Sequence, residues 1–341
     1  MSASPTQNQG TTSGPEALMQ LSFAHAPSRI LASGVQLDVF SHIAGGKKTV
    51  AEIARAAGAS ERGMRMLLDA LAAIQVLAKS GDTYELTPLS KDLLVRGSED
   101  YMGAVMETNE MIDSWANLTE VIRAGHPQRR VESQETAEKF FSVLVRMLHV
   151  VNREPARRVA AALGAGTTEQ GMRVLDVAAG SGVWGIAIAE ADKQARITAQ
   201  DFPGLFATTR EYAERHAVAD RYDYLPGDLK EVDFGENRFD LAILGNIVHS
   251  EGESSSRDLF RRVSRALKSG GLIAIIDMIP NDERTGPPFA LIFALNMLIN
   301  TEVGDTYTLA EYTAWLNDAG FRRVETADIG SHSPLIVGIK D

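Results

Sequence analysis

The sequence predicts an α/β chain: a mainly helical winged-helix half, then a parallel sheet with helices on both faces. Three observations carry this. The first 100 residues follow the order helix, turn, helix, hairpin. A small polar segment, Gly164 to Gly171, interrupts the pattern. Beyond it, short β-branched runs alternate with helical stretches, which is how a parallel sheet is wound. With 341 residues the chain is long for one domain and comfortable for two, each able to bury its own core.

Met1 to Pro15 is rich in Ser, Thr, Gln and Gly and has no apolar run, so residues 1–15 are expected to be a disordered tail rather than a signal peptide. From Glu16 to about Ala44, Leu18, Leu21, Phe23, Ile30, Leu31, Val35, Leu37 and Phe40 recur at helical spacing. Thr49 followed by Glu52 has capping-box spacing, and Gly58 suits a helix end. Ser60 can cap a helix carrying Met64, Leu67, Leu68, Leu71 and Ile74. Val76-Leu77 and Tyr84-Glu85-Leu86, split by Ser80-Gly81-Asp82, form a short hairpin. These elements make a winged-helix domain over 16–100. A further helical region over 101–164 carries Met102, Met106, Met111, Trp115, Leu118, Phe140, Phe141, Leu144 and Met147. Met and aromatic residues at that spacing are more often core than pocket, although their density here suits a pocket lining. The sheet domain is expected over 165–341, with strands at Arg173–Ala178, Arg196–Asp201, Tyr222–Gly227, Phe239–Asn246, Leu272–Ile279, Val324–Ile329 and Leu335–Lys340. Such sheets place ligands at the carboxyl ends of their strands.

Composition excludes several functions. Lys and Arg number 34 against 45 Asp and Glu, a net charge of -11, which repels phosphate backbones. The recognition-helix position, Ser60 to Ile74, pairs Arg62 and Arg65 with Glu61 and Asp69, so no nucleic-acid partner is expected. The chain has no cysteine, which removes disulfides, thiolate metal sites and cysteine nucleophiles. No apolar stretch reaches about 18 residues, so no membrane partner is expected and the chain reads as cytoplasmic. No His-Glu-x-x-His spacing occurs, and no metal is expected; no Gly-x-Ser-x-Gly occurs, which argues against a serine hydrolase.

The strongest local signal is Val174-Leu175-Asp176-Val177-Ala178-Ala179-Gly180-Ser181-Gly182, an apolar strand running into a glycine turn that opens a helix. Glycine is needed where backbone turns tightly against a ligand. Many nucleotide folds share that pattern. Three features narrow it. Asp176 lies within the strand, where a phosphate loop has no use for negative charge but an amino-acid ammonium does; a Gly-Lys-Ser/Thr phosphate loop is also missing. Asp201 ends the next strand, 25 residues on, where a carboxylate can accept both ribose hydroxyls. A third strand ends at Gly227-Asp228-Leu229, where Asp228 can accept from an adenine amino group. An amino-acid end, a ribose acceptor and an adenine acceptor together describe S-adenosylmethionine better than a dinucleotide.

At these residues the chain resembles the class I methyltransferases of the acetylserotonin and plant-phenolic O-methyltransferase type, over nearly all of Glu16 to Asp341. That resemblance implies a winged-helix dimerisation domain, a Rossmann-like seven-stranded methyltransferase domain and a homodimer. The family's first motif, Asp-x-Gly-x-Gly-x-Gly, is met at Asp176, Gly180 and Gly182, with Ala178 where the first glycine usually stands. The resemblance implies cofactor roles for Asp201 with Phe202, for Asp228 with Leu229, and for Gly245-Asn246. It implies a general base at His249, in Asn246-Ile247-Val248-His249, and an orienting carboxylate at Asp277, with Glu302 or Asp305 as a second. The family usually continues His-Asp-Trp; this chain continues His249-Ser250-Glu251-Gly252.

Of the seven histidines, His42, His126, His216 and His332 sit in polar or loop-like surroundings and read as surface. His25 and His149 lie on amphipathic helices that can line a pocket. His249 stands just past a strand's carboxyl end, where ligands bind. The expected function is methyl transfer from S-adenosylmethionine to a small-molecule hydroxyl, with His249 taking the proton. Two alternatives stand beside it. One is S-methylation of a small thioether acid, as in bacterial methylthiohydroxybutyrate methylation, where no base is required. The other is a winged-helix regulator that takes the nucleoside as ligand.

Overall fold

The computed structural model describes residues 14–127 and 134–341, so most of the expected tail lies outside the described residues. The chain divides into two compact units, Met1–Met111 and Ile112–Asp341.

The first unit contains α1 (Pro15–Phe23), α2 (Ala26–Gln36), α3 (Val39–Ala44), α4 (Val50–Ala56), α5 (Glu61–Ala73), β1 (Leu77–Ser80), β2 (Thr83–Leu86) and α6 (Pro88–Leu93). The helical stretch expected over Glu16 to about Ala44 is thus made of three helices. Its second break has a local cause: Asp38, before α3, adopts a left-handed backbone with φ of 51°. The capping box is as expected, Thr49 Oγ1 accepting from Glu52 N and Glu52 Oε2 accepting from Thr49 N at 3.0 Å. Ser60 caps α5 through Gly63 N at 3.2 Å. Strands β1 and β2 pair in register Leu77↔Leu86, closing the wing. Val39, Phe40, Ile53, Met64, Leu68, Leu71 and Tyr84 fill the core beneath it. On α5, Asp69 holds Arg65 at 3.1 Å and Lys79 at 2.6 Å, so these cations are already paired.

The second unit contains α7 (Glu110–Ala116, spanning the division), α8 (Leu118–Ala124), α9 (Gln134–Ala162), β3 (Arg173–Val177), α10 (Val183–Ala191), β4 (Arg196–Asp201), α11 (Phe206–Arg215), β5 (Tyr222–Pro226) and β6 (Phe239–Gly245). It continues with α12 (Val248–Ala266), β7 (Leu267–Ile276), α13 (Pro288–Asn300), α14 (Leu309–Asp318), β8 (Phe321–Ala327) and β9 (Leu335–Lys340). Seven strands form one sheet in the order β5-β4-β3-β6-β7-β9-β8. Neighbours from β5 to β7 are parallel, and β9 is antiparallel to both β7 and β8. The sheet is therefore mixed rather than wholly parallel. The chain leaves β3 for β4 on one side and reaches β6 on the other, so a switch-point crevice opens at the carboxyl ends of β3 and β6, where open α/β sheets bind ligands.

Helices cover both faces, and two apolar clusters form beneath them. Ala156, Val159, Ala160 and Leu163 of α9 join Val174 and Ile186 in one cluster. The long helix therefore packs with the sheet, and Gly164–Gly171 lies inside the second unit. Strand β7 begins at Leu267, five residues before the expected start, because Phe239↔Leu267 pair ahead of a register shift. It ends at Ile276, so Asp277 stands just beyond the sheet edge. Among the described residues no helix is long and apolar enough to cross a membrane.

Candidate active site

The edge formed by β3, β4, β5 and β6 is held by bonds between backbone groups and the side chains of Gln200, Asp201 and Asp228. After β3, Ala178, Gly180 and Gly182 all take left-handed backbones, with φ of 51°, 56° and 75°. Ala178 thus occupies a conformation that glycine adopts freely and other residues at a cost of about 1 kcal/mol. Gly180 N donates to Asp201 Oδ2 at 2.7 Å and Phe202 N donates to Asp201 Oδ1 at 2.8 Å, so the carboxylate ending β4 ties its own turn to the glycine loop. Gln200 extends the tie, accepting from Ala178 N at 3.2 Å and donating to Gly227 O at 2.8 Å. Asp228 accepts from Lys230 N at 2.8 Å, a side-chain turn that fixes its carboxyl. The Leu229 side chain is buried in the core, leaving its backbone at the edge.

Asp176 lies deeper than its sequence position suggests. It is fully buried, and its Oδ2 accepts from Gly185 N at 3.0 Å in the first turns of α10. Its Oδ1 is buried without a hydrogen-bond partner. Burial raises its pKa from 3.8 to about 8; the Gly185 amide opposes the shift and the Asp201 charge adds to it. A Cβ at Gly185 would come within 2.8 Å of Asp176 Oδ2, Ile197 and the Tyr222 hydroxyl, so a side chain there would crush this pocket. At Gly245 a Cβ would lie 2.0 Å from Trp184 Nε1, which makes that glycine a packing requirement of α10. Asn246 then turns the chain with φ of 58° and donates to Ile276 O at 2.8 Å.

Helix α9 closes over the loop. Val145 lies 3.0 Å from where a Gly180 Cβ would stand. His149 is buried, hydrogen-bonded through Nδ1 to Ser181 Oγ at 3.1 Å and stacked on Tyr212 at 3.7 Å. Arg146 makes a paired bond to Glu211 at 3.0 and 2.6 Å. The amphipathic spacing of α9 points toward His149 and Ser181 lies within the glycine-loop motif, but Tyr212 carries no comparable signal.

Beside this edge, β6 leads through Asn246 into the short first turn of α12, which breaks at Gly252 with φ of 74° and ψ of 162°. His249 stands in that turn, 8% exposed. Its Nδ1 meets Asp277 Oδ1 at 2.6 Å and its backbone N donates to Asp277 Oδ2 at 3.0 Å, so one carboxylate fixes both ring and turn. Met278 N at 2.8 Å and the Tyr312 hydroxyl at 3.1 Å also donate to Asp277. No described residue hydrogen-bonds His249 Nε2. Neither Glu302 nor Asp305 bonds the imidazole; Asp305 acts through its backbone N, which donates to the His249 carbonyl at 2.9 Å. Phe293 of α13 meets the imidazole edge-on at 4.9 Å, Phe289 lies 6.1 Å beyond it, and His332 stacks on Phe289 at 4.5 Å. Phe293 and Tyr312 were not singled out from the sequence. The signal for Tyr312 was the Thr308–Glu311 capping box that starts α14, where Thr308 N donates to Glu311 Oε2 at 2.7 Å.

A glycine-loop edge beside a carboxylate-held histidine, on a seven-stranded mixed sheet, defines an enzyme of the class I methyltransferase fold. Residues 19–96 match a family model for the O-methyltransferase dimerisation domain, and residues 115–322 one for the O-methyltransferase domain. The chain therefore belongs to the O-methyltransferase family, whose cofactor is S-adenosylmethionine. It is 31% identical over 340 residues to the tetracenomycin polyketide synthesis 8-O-methyl transferase of Streptomyces glaucescens, covering 96% of this chain and 97% of the relative. Against acetylserotonin O-methyltransferase of Mus musculus the identity is 28% over 334 residues, 90% of this chain and 84% of the relative. An O-methyltransferase family protein from Burkholderia thailandensis superposes with a TM-score of 0.81 at 26% identity, covering 96% and 98% of the two chains. Human N-acetylserotonin methyltransferase, solved in complex with S-adenosylmethionine, shares the fold with a TM-score of 0.83 at 24% identity, covering 97% and 99%.

Proposed function

We propose that this enzyme methylates a hydroxyl group of a small molecule, with His249 as the general base that Asp277 orients. The single observation behind this reading is the 2.6 Å bond between His249 Nδ1 and Asp277 Oδ1. It fixes the ring's tautomer, so that Nε2 carries the lone pair and can accept a proton. A thioether acceptor has no proton to lose and would give this pair no task, which favours oxygen over sulfur.

The site suits the family's cofactor. Asp176 offers a buried, unpartnered carboxylate oxygen, the complement of an ammonium. Asp201 with Phe202 would take the ribose, Asp228 with Leu229 the adenine, and Gly180, Gly182, Gly227, Gly245 and Asn246 shape the backbone around them. When bound, S-adenosylmethionine supplies a methyl group already activated by its sulfonium charge. The chain's own residues do the rest. Phe293 and Phe289 give an acceptor ring an apolar wall beside His249, and His249 removes the hydroxyl proton as oxygen becomes nucleophilic. Holding the reacting groups in line contributes up to about 7–11 kcal/mol, and a positioned base about 10²–10⁴-fold.

Replacing His249 with Ala tests the proposal. Turnover of a hydroxyl acceptor at saturating cofactor should fall about 10²–10⁴-fold, while cofactor affinity by calorimetry stays near that of the native enzyme. A variant that keeps nearly full turnover would end the general-base reading.

The chain also pairs as a homodimer in this reading, working in the cytoplasm. Besides the dimerisation-domain match, α1 presents Leu18, Met19, Leu21 and Phe23 at 60–71% exposure, an apolar surface that a second copy would cover. Light scattering of the intact chain should give twice the monomer mass; a monomer at micromolar concentration would refute the pairing.

A further inference from the structure

The general-base reading leaves one buried group unused. Tyr312 is fully buried on α14, and its hydroxyl donates to Asp277 Oδ2 at 3.1 Å. Asp277 is equally buried and accepts four hydrogen bonds: two from His249, one from Met278 N and one from Tyr312. Three of those donors are His249 itself or the backbone beside the carboxylate. Tyr312 is the fourth, and it comes from another element, 35 residues away in sequence. It is also a side chain in the wall of the core, where Tyr307 and Trp315 pack against it at 6.2 and 5.9 Å between ring centres.

We propose that Tyr312 is a positioning residue of the reaction: by donating to Asp277 it shares the carboxylate's charge with His249 and so sets how strongly the imidazole holds a proton. The inference rests on the general-base reading for its catalytic meaning, but not for its electrostatics. A carboxylate that must also accept from a neutral hydroxyl has less charge to offer an imidazolium. The phenol itself stays neutral, because burial and the nearby Asp277 charge hold its pKa well above 10. Asp277 therefore has a fixed neutral donor on one side and the imidazole on the other. The other titratable groups that face this cluster are the carboxylates of Asp305 before α14, Glu311 on α14 and Glu253 on α12, and the Tyr307 phenol, which burial keeps neutral. Arg284 draws off part of that charge through Glu311 at 3.2 Å and Asp305 at 3.9 Å. None of these is altered when Tyr312 loses its hydroxyl.

The test is the titration of the His249 imidazole by proton–nitrogen NMR in the intact enzyme, beside the pH profile of kcat. Tyr312→Phe keeps the ring and removes the donor. The titration of His249 should then move to higher pH, and the acidic limb of the kcat profile should move up with it. Placing 3-fluorotyrosine at position 312 makes the hydroxyl a better donor and should move both down. Opposite shifts in the two forms support the proposal. An unchanged pKa in both, or a fall in the Phe variant, overturns it and leaves Tyr312 a packing residue. Because the NMR titration needs no turnover, a failure of His249 as base shows up separately, as retained activity in the His249→Ala enzyme.

Discussion

The two sides of the active site are built from different materials. The proposed cofactor edge is written largely in backbone: left-handed turns at Ala178, Gly180 and Gly182, amides of Gly180 and Phe202 on Asp201, and glycines where Trp184 or Asp176 leave no room for a Cβ. The proposed acceptor side is written in side chains from scattered segments: His249 after β6, Asp277 after β7, Phe289 and Phe293 on α13, and Tyr312 on α14. The first kind of site tolerates little change, because a backbone cradle fits one ligand. The second can be rewritten one side chain at a time without moving the sheet. That division suits a family whose members share a cofactor and differ in acceptor.

The contrast can be broken from the cofactor side. Replacing Asp201 with Ala removes the carboxylate that joins the glycine loop to the end of β4. Losing a charged hydrogen-bond acceptor costs about 1.5–3 kcal/mol, so S-adenosylmethionine should bind roughly 10- to 150-fold more weakly by calorimetry. If the two sides are independent, the acidic limb of the kcat profile at saturating cofactor stays where it was. A shifted limb would mean that the loop and the His249–Asp277 pair are one mechanical unit.

The same contrast explains what the sequence made legible. The glycine loop, Asp201 and Asp228 lie within a few residues of strand ends, so periodicity and turn chemistry locate them together. Strands β4 and β9 fall where the β-branched runs place them. The errors came where tertiary pairing decides. Strand β7 starts early because β6 supplies a partner for Leu267, and the helical stretch over Glu16 to Ala44 breaks ahead of α3 because Asp38 turns left-handed. On the proposed acceptor side the sequence points to His249, by its place past a strand's carboxyl end and by family resemblance, and to Asp277 by resemblance alone. Phe293 and Tyr312 reach the site through the packing of α13 and α14, which no local pattern encodes. The sequence singles out Asp176, but its place behind the loop, bonded to Gly185, depends on how α10 sits on the sheet.

Asp176 offers the smallest and most discriminating measurement. Its pKa is raised from 3.8 to about 8 by burial. Between those values the folded enzyme without cofactor keeps a proton that the unfolded chain releases. The folded state then binds more protons, so its stability falls as pH rises through this window. Asp176→Asn has no proton to lose there, and its stability relative to the native chain should therefore improve steadily from pH 4 to 8 in denaturant titrations. An ammonium brought beside the carboxylate favours the charged form and reverses the shift. Binding of S-adenosylmethionine at pH 7 should thus expel up to about one proton, seen as a binding heat that depends on the buffer's ionisation enthalpy. The Asn variant should bind without that dependence. If the native enzyme shows none either, Asp176 serves only to anchor α10 through Gly185, and the cofactor's charge is met elsewhere on the edge.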